Sequence, residues 1–241
     1  MKKITFLATL LIALPVLGDL RHDIESKSGW VAYSVPISGH HLVCSYDDYS
    51  ESTTFSGGFH RDESSALHVL YEVSGGRIES IRLSSPECPP WNKSVQWIQN
   101  VDPRESARLL KTLIESGDQR IAKKAVNALA LHPGTVDDLI DIAHRHSSSK
   151  VRSMALFWIS QEAGARAASV LKDAIENDPE DEVKAKAVFG ISQLPDDQSI
   201  PLLVDLIKTN RSARVRKKAA FWLGQKNDPR ALQALEDILK R

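Results

Sequence analysis

Few residues in this chain have a claim to chemistry. Asp141, His144 and His146 stand as Asp-x-x-His-x-His, three residues of metal-ligating type within six positions. On a helix, Asp141 and His144 at i and i+3 share a face and would suit a metal, while His146 points elsewhere. The plainer expectation is that His144 is a half-exposed packing residue. Its place in a recurring helical pattern is held by Ile114, Ile175 and Leu239, and in one copy by Lys208. His40-His41 would point to opposite faces of a strand and make a weak pair of ligands. There is no Gly-x-Ser-x-Gly elbow, no glycine-rich phosphate loop and no carboxylate pair of distinctive spacing. No catalytic residue, metal site or cofactor is expected.

Two further features could serve binding or stability. The densest charge is Arg211, Arg214, Arg216, Lys217 and Lys218. Arg152 and Lys184 share the repeat position of Arg216, so a basic row Arg152, Lys184, Arg216, joined by Lys217 and Lys218, is a candidate surface for an acidic partner or anionic headgroups. The alternative is a solvated row balanced by acids such as Glu180, Asp181 and Glu182. The other feature is Cys44 and Cys88, the only cysteines. In an oxidising compartment such a pair most simply forms a disulfide, with two free thiols or a redox pair as alternatives. Closing a loop of about 45 residues would stabilise by roughly 4 kcal/mol in the chain-entropy model.

The compartment is read from the first eighteen residues. Lys2-Lys3 precede an apolar run from Ile4 to Leu17, and Val16-Leu17-Gly18 offers small residues for cleavage after Gly18. That is the pattern of a secretory signal peptide. A run of 14 residues is short for a membrane span, which needs about 20. No cysteine follows the run to carry a lipid. The expected product is exported, periplasmic in a Gram-negative cell, with no membrane span in the mature chain. The whole chain of 241 residues has zero formal charge. Loss of Lys2 and Lys3 would leave about −2, so no global basic field draws it to nucleic acid.

Residues 19–100 read as a small antiparallel β module with linkers. Residues 19–28 are polar and are expected to be a loose lead-in. Trp30–Val35 and His41–Tyr46 are short runs rich in Val and aromatics. Leu67–Val73 and Arg77–Leu83 flank Ser74-Gly75-Gly76, the signature of a hairpin. Pro86, Pro89 and Pro90 close the strand region.

Residues 101–241 are written in a repeat. Val151-Arg-Ser-Met-Ala155-Leu-Phe157-Trp158 recurs from Val183 and from Val215, with a fainter copy from Ile121, in steps of 30, 32 and 32. Between the copies lie amphipathic stripes such as Leu109, Leu110, Leu113 and Ile114. A helical period near 30 marks an α-solenoid of antiparallel helix pairs, here a half repeat plus about four repeats. Each first helix is apolar on two flanks and must be covered on two sides. The expected seam contains Val151, Ala155, Trp158, Val183, Ala187, Val215, Ala219 and Trp222, with Gly190 complementing the tryptophans. Asp102-Pro103 and Asp228-Pro229 start helices, and Asp118, Ser148, Ser212 and Glu180 or Asp181 stand where N-caps belong.

The text Val215-Arg216-x-x-Ala219-x-x-x-Leu223-Gly224 resembles short bacterial HEAT repeats, a type also found in phycobilisome-lyase-like proteins. The whole chain is similar to exported bacterial HEAT-repeat proteins. The resemblance implies a mainly α fold and a curved protein-binding surface, hence unidentified protein partners and a scaffold or adaptor role in the cell envelope. The alternative is an accessory subunit of an envelope stress or enzyme-maturation system, and remotely a lyase-like cofactor handler. Iron-binding HEAT enzymes of the deoxyhypusine hydroxylase type use His-Glu pairs, and none of the eight histidines here is followed by Glu.

Overall fold

The computed structural model describes residues 19–37, 66–86, 88, 93–161 and 164–240. The leader, the strand expected at His41–Tyr46 and His40-His41 lie outside them. In chain order come α1 (Leu20–Glu25), β1 (Gly29–Pro36), β2 (Ala66–Ser74), β3 (Arg77–Ser84) and β4 (Val95–Trp97). Nine helices follow: α2 (Pro103–Ile114), α3 (Gln119–Ala130), α4 (Val136–Arg145), α5 (Ser149–Gln161), α6 (Ala165–Asn177), α7 (Asp181–Gln193), α8 (Asp196–Thr209), α9 (Ala213–Gly224) and α10 (Pro229–Leu239).

The four strands form one sheet in the order β3-β2-β1-β4. Gly75 and Gly76 turn the β2–β3 hairpin with φ of 56° and 72°. Positive φ at both central positions gives the turn whose twist matches antiparallel strands. The expectation of a purely antiparallel module is corrected: β4 runs parallel to β1, with Trp30 opposite Val95 and Ala32 opposite Trp97. Three paired residues beyond the proline cluster are too few to show an alternating pattern. The lead-in also differs. Asp19 accepts a hydrogen bond from Arg21 N and opens α1, which buries Leu20 and Ile24. Leu20 N donates to Glu105 Oε1 at 3.2 Å, tying this turn to α2.

The sheet shares its core with the helices. Val31, Tyr33, Val35, Val69, Tyr71 and Val73 belong to one continuous cluster with α2, α3 and the later repeats. On the other face Trp30, Ala32 and Leu70 make a small separate cluster with Val95 against it. A chain of buried hydroxyls crosses the junction between sheet and helices. Tyr71 and Tyr33 hydroxyls lie 2.7 Å apart, Tyr33 is 2.7 Å from Ser106 Oγ, and Ser106 is 2.7 Å from His132 Nε2. His132 Nδ1 sits 2.8 Å from the Ala128 carbonyl and must donate to it, so Nε2 is the acceptor. The direction of the whole chain follows: Tyr71 donates to Tyr33, Tyr33 to Ser106, and Ser106 to His132.

The repeats stack as the period requires. The first helices α3, α5, α7 and α9 touch one another in succession, with the second helices along one side. Each first helix packs more extensively on the second helix before it than on the one after. So α2, read from the sequence as a half repeat, is closely paired with α3, and α10 is the least covered helix. On α10 only Ala231 is buried, while Leu232 and Leu239 are 63% and 85% exposed. The predicted seam is inside: Val151, Ala155, Val183, Ala187, Val215 and Ala219 are fully buried, and Trp158 is 5% exposed. Trp158 Nε1 donates to Asn127 Oδ1 at 2.9 Å, which satisfies its buried N–H. Gly190 departs from expectation. A Cβ there would lie 2.6 Å from Leu171 Cδ2 and 3.2 Å from Ser160 Cβ, so the glycine makes room for α6. Trp222 is half-buried and packs on Phe189 with ring centroids 4.9 Å apart.

Burial lowers the His132 pKa, opposed by its bond to Ala128. Protonation would place a donor on Nε2 and reverse the hydroxyl chain, leaving Tyr71 with no acceptor along it. A lowered folded-state pKa gives stability that is present above the unfolded value of about 6.5 and is lost as pH falls below it. Thermal unfolding between pH 8 and pH 5 should show a wild-type decline that is shallower in His132→Gln. Equal slopes would refute this role.

Candidate partner-binding surface

The expected basic row is broken at Arg152. Arg152 is only 6% exposed and belongs to the interior. Its Nε donates to Asp178 Oδ2 at 2.7 Å and its Nη2 to Asp178 Oδ1 at 3.0 Å. Its Nη1 donates to the carbonyls of His146 and Ser147 at 2.8 and 3.1 Å. The hydrogen bonds to Asp178, against the opposing effect of burial, and then the charges of Asp178 and Glu180 raise the guanidinium pKa further. Arg216 makes the same local bonds, to Asn210 O at 2.9 Å and Arg211 O at 3.0 Å, and is half-buried. Lys184 is half-buried as well; Lys217 and Lys218 alone of the row are fully exposed.

The residue answering this arginine was missed, although a periodic signal marks it. His146, Asp178 and Asn210 recur at a spacing of 32. Each accepts from the N–H two residues on: Ser148 N to His146 Nδ1 at 3.0 Å, Glu180 N to Asp178 Oδ1 at 2.9 Å, and Ser212 N to Asn210 Oδ1 at 2.9 Å. This position, rather than Ser148 or Glu180, organises the turn before the first helix. Ser148 Oγ has no partner among the described residues, and Glu180 makes no side-chain cap. Asp118 and Ser212 do cap as expected, Asp118 to Arg120 N and Ile121 N, and Ser212 to Val215 N.

The other sequence candidates disperse. Asp141 pairs with Arg145 at 3.0 Å, His144 with Asp173 on α6 at 3.5 Å, and His146 Nε2 meets the Ile114 carbonyl at 3.1 Å. No group of three metal-ligating residues is found among the described residues. The close side-chain contact of Ser106 with His132 is enclosed in the core and its hydroxyl is already bonded to Tyr33, so it is a structural link. Cys88 carries no free thiol, and Cys44 lies outside the described residues.

What the surface does offer lies between α7 and α9. A cleft of about 430 Å³ is lined by Glu182, Ala185, Lys186, Phe189, Arg214, Lys218 and Trp222. A neighbouring hollow of about 340 Å³ shares Arg214 and Lys218 with it and adds Lys217 and Phe221. Phe189, Trp222 and Phe221 form a continuous apolar floor, with Phe221 and Trp222 centroids 5.0 Å apart. Phe221 is 53% exposed. Arg214 reaches Asp181 at 3.6 Å, but Lys186, Lys217 and Lys218 form no ion pair among the described residues. The sequence carried a signal for this: Phe157, Phe189 and Phe221 share one repeat position, and Lys186 and Lys218 another.

Stacked helix pairs on a shared seam, joined by turns of fixed design, define an α-solenoid. The family model for HEAT repeats matches residues 106–192 and 168–241, and the chain belongs to the HEAT-repeat family. A comparison with curated proteins finds no match. HEAT repeats imply protein binding and suggest an interaction scaffold. Among the described residues no helix is long and apolar enough to cross a membrane.

The buried pair and its half-buried counterpart should behave differently on mutation. Arg152→Ala strands the Asp178 carboxylate and should cost about 3 kcal/mol, within the range for breaking a buried ion pair. Arg216→Ala, with only backbone partners at a half-buried site, should cost about 1 kcal/mol. Urea denaturation of both variants checks this; equal losses would contradict it.

Proposed function

We propose that the protein is a non-enzymatic interaction scaffold or adaptor of the cell envelope, exported by its N-terminal leader and periplasmic. The observation that carries the scaffold reading is the α7–α9 cleft, where Lys186, Lys217 and Lys218, without ion pairs among the described residues, flank a partly exposed aromatic floor. Export is supported by Lys2-Lys3 and the apolar run from Ile4 to Leu17. A Cys44–Cys88 disulfide accords with that compartment, since these are the only cysteines and Cys88 has no free thiol. The bond would tether the segment between β1 and β2 to the stretch after β3.

The purified chain, incubated with envelope extract, should retain a partner that also forms a stoichiometric complex with it by size-exclusion chromatography when both are pure. Failure to find any partner, together with turnover of a small molecule by the pure protein, would sink the scaffold reading. Export and the disulfide are checked separately. Mass spectrometry of the chain from a periplasmic fraction should show loss of the first eighteen residues. Thiol titration of the denatured, unreduced protein should find no reactive thiol, and two would refute the bond.

A further inference from the structure

We infer that the α7–α9 cleft docks an acidic, extended protein segment that places one aromatic or large aliphatic side chain on the Phe189–Trp222–Phe221 floor. This rests on the scaffold reading above and goes further in naming the site and the chemistry of its occupant.

The charge pattern selects the sign of the partner. Elsewhere on the solenoid some cations reach an acid across helices, as Lys111 meets Asp138, Arg166 meets Asp137 and Lys226 meets Asp196, while exposed Lys150 and Lys208 stand singly among the described residues. Around the cleft three exposed lysines gather beside the rings, Lys186, Lys217 and Lys218, and none has an ion pair among the described residues. Cations left without an acid beside exposed rings are complementary to carboxylates, which would exchange hydration for paired, partly desolvated contacts at the rim of an apolar patch.

The floor selects the rest. An exposed phenylalanine beside a half-buried tryptophan presents ring faces and edges to which another ring or a branched aliphatic chain packs well. The cleft, at about 430 Å³, lies near the lower end of the roughly 300–1,000 Å³ range of ligand sites. It has room for one or two side chains, and the shared hollow lets a segment continue past Lys217.

A nucleic-acid strand would need a similar mixture of cations and rings, but the acids oppose it. Glu182 lines the cleft and Asp181 stands beside Arg214, so carboxylates sit where a phosphate backbone would have to track. The full chain has no net positive charge to draw a polyanion. A peptide places its carboxylates discretely, against the lysines, and can offer a backbone N–H to Glu182.

The test is selection of a random-peptide display library on the immobilised full-length protein. Enriched peptides are then resynthesised with a fluorescent label and titrated by anisotropy. Selected peptides should carry Asp or Glu around a Phe, Tyr, Trp or Leu. Lys186→Glu/Lys218→Glu should weaken them at least tenfold and Phe221→Ala about threefold. All three sites are at the surface, and unchanged circular dichroism verifies that the variants fold. Several results would overturn the inference: no enrichment, enriched peptides lacking acids, affinity indifferent to the charge reversal, or displacement of the peptide by a single-stranded oligonucleotide such as dT20. Failure of the cleft is distinguishable from failure of the scaffold. A natural partner retained equally by wild-type and charge-reversed protein overturns the cleft and leaves the scaffold standing, whereas a wild-type protein that forms no complex removes both.

Discussion

The structure depends on one constraint: each first helix is apolar on two flanks and cannot be satisfied by a single neighbour. Ala125, Ala155, Ala187 and Ala219 are completely buried at one recurring position, which brings the helix backbones close. Beside them Val151, Val183 and Val215 are removed from water, along with Leu129, Ile159, Ile191 and Leu223. Burial of this kind contributes about 1.5–3 kcal/mol for each large side chain. A helix pair taken alone would leave half of that surface wet, so stability accrues only as neighbours are added. The sheet enters the same account. Its inner face covers α2 and α3, and its tyrosines supply the partners that Ser106 and His132 need inside the core.

A solenoid built in this way must also satisfy the turn before every first helix. The recurring acceptor at 146, 178 and 210 does so with three different side chains, a histidine, an aspartate and an asparagine. Only the aspartate is a carboxylate, and Arg152 of the preceding repeat turns inward to meet it, where the repeats before His146 and Asn210 have Ala122 and Lys184. Desolvating a guanidinium is costly unless its charge and its donors are answered. At Arg152 a bidentate carboxylate and two carbonyls answer them; at Arg216 only the two carbonyls do, and that side chain stays nearer to water. The same letter of the repeat thus has two environments, decided by a residue 26 positions away from Arg152.

Much of this was legible in the sequence. The period, the helix pairs, the hairpin turn and the alanine seam all follow from local patterning, which repeats enough times to average out exceptions. Arg152 was misplaced because a column of like charges suggests a solvated row, whereas its partner lies in another turn and is outside any single helix pattern. β4 and α1 were missed for a different reason. Three paired residues, or two apolar ones at i and i+4, fall below the length at which periodicity can be told from chance. The Trp158/Gly190 complementarity was read within one row of helices, and Gly190 in fact yields to Leu171 from the other row.

The candidate site follows from the seam rather than from an added motif. Phe157, Phe189 and Phe221 occupy the same position of successive first helices, flanking the buried column. Phe157 is partly covered and packs against the main core, Phe189 is partly covered, and Phe221 is exposed. Trp222 lies between the last two and touches both rings. The repeat therefore keeps an aromatic at a place where stacking covers it in some copies and leaves it open in α9. Exposed aromatic area is unfavourable in water, and the lysines around it keep the patch soluble without filling it. A surface that is apolar at its floor and cationic at its rim has the core-and-rim arrangement of a protein interface, so the packing rule that builds the stack also yields this candidate site.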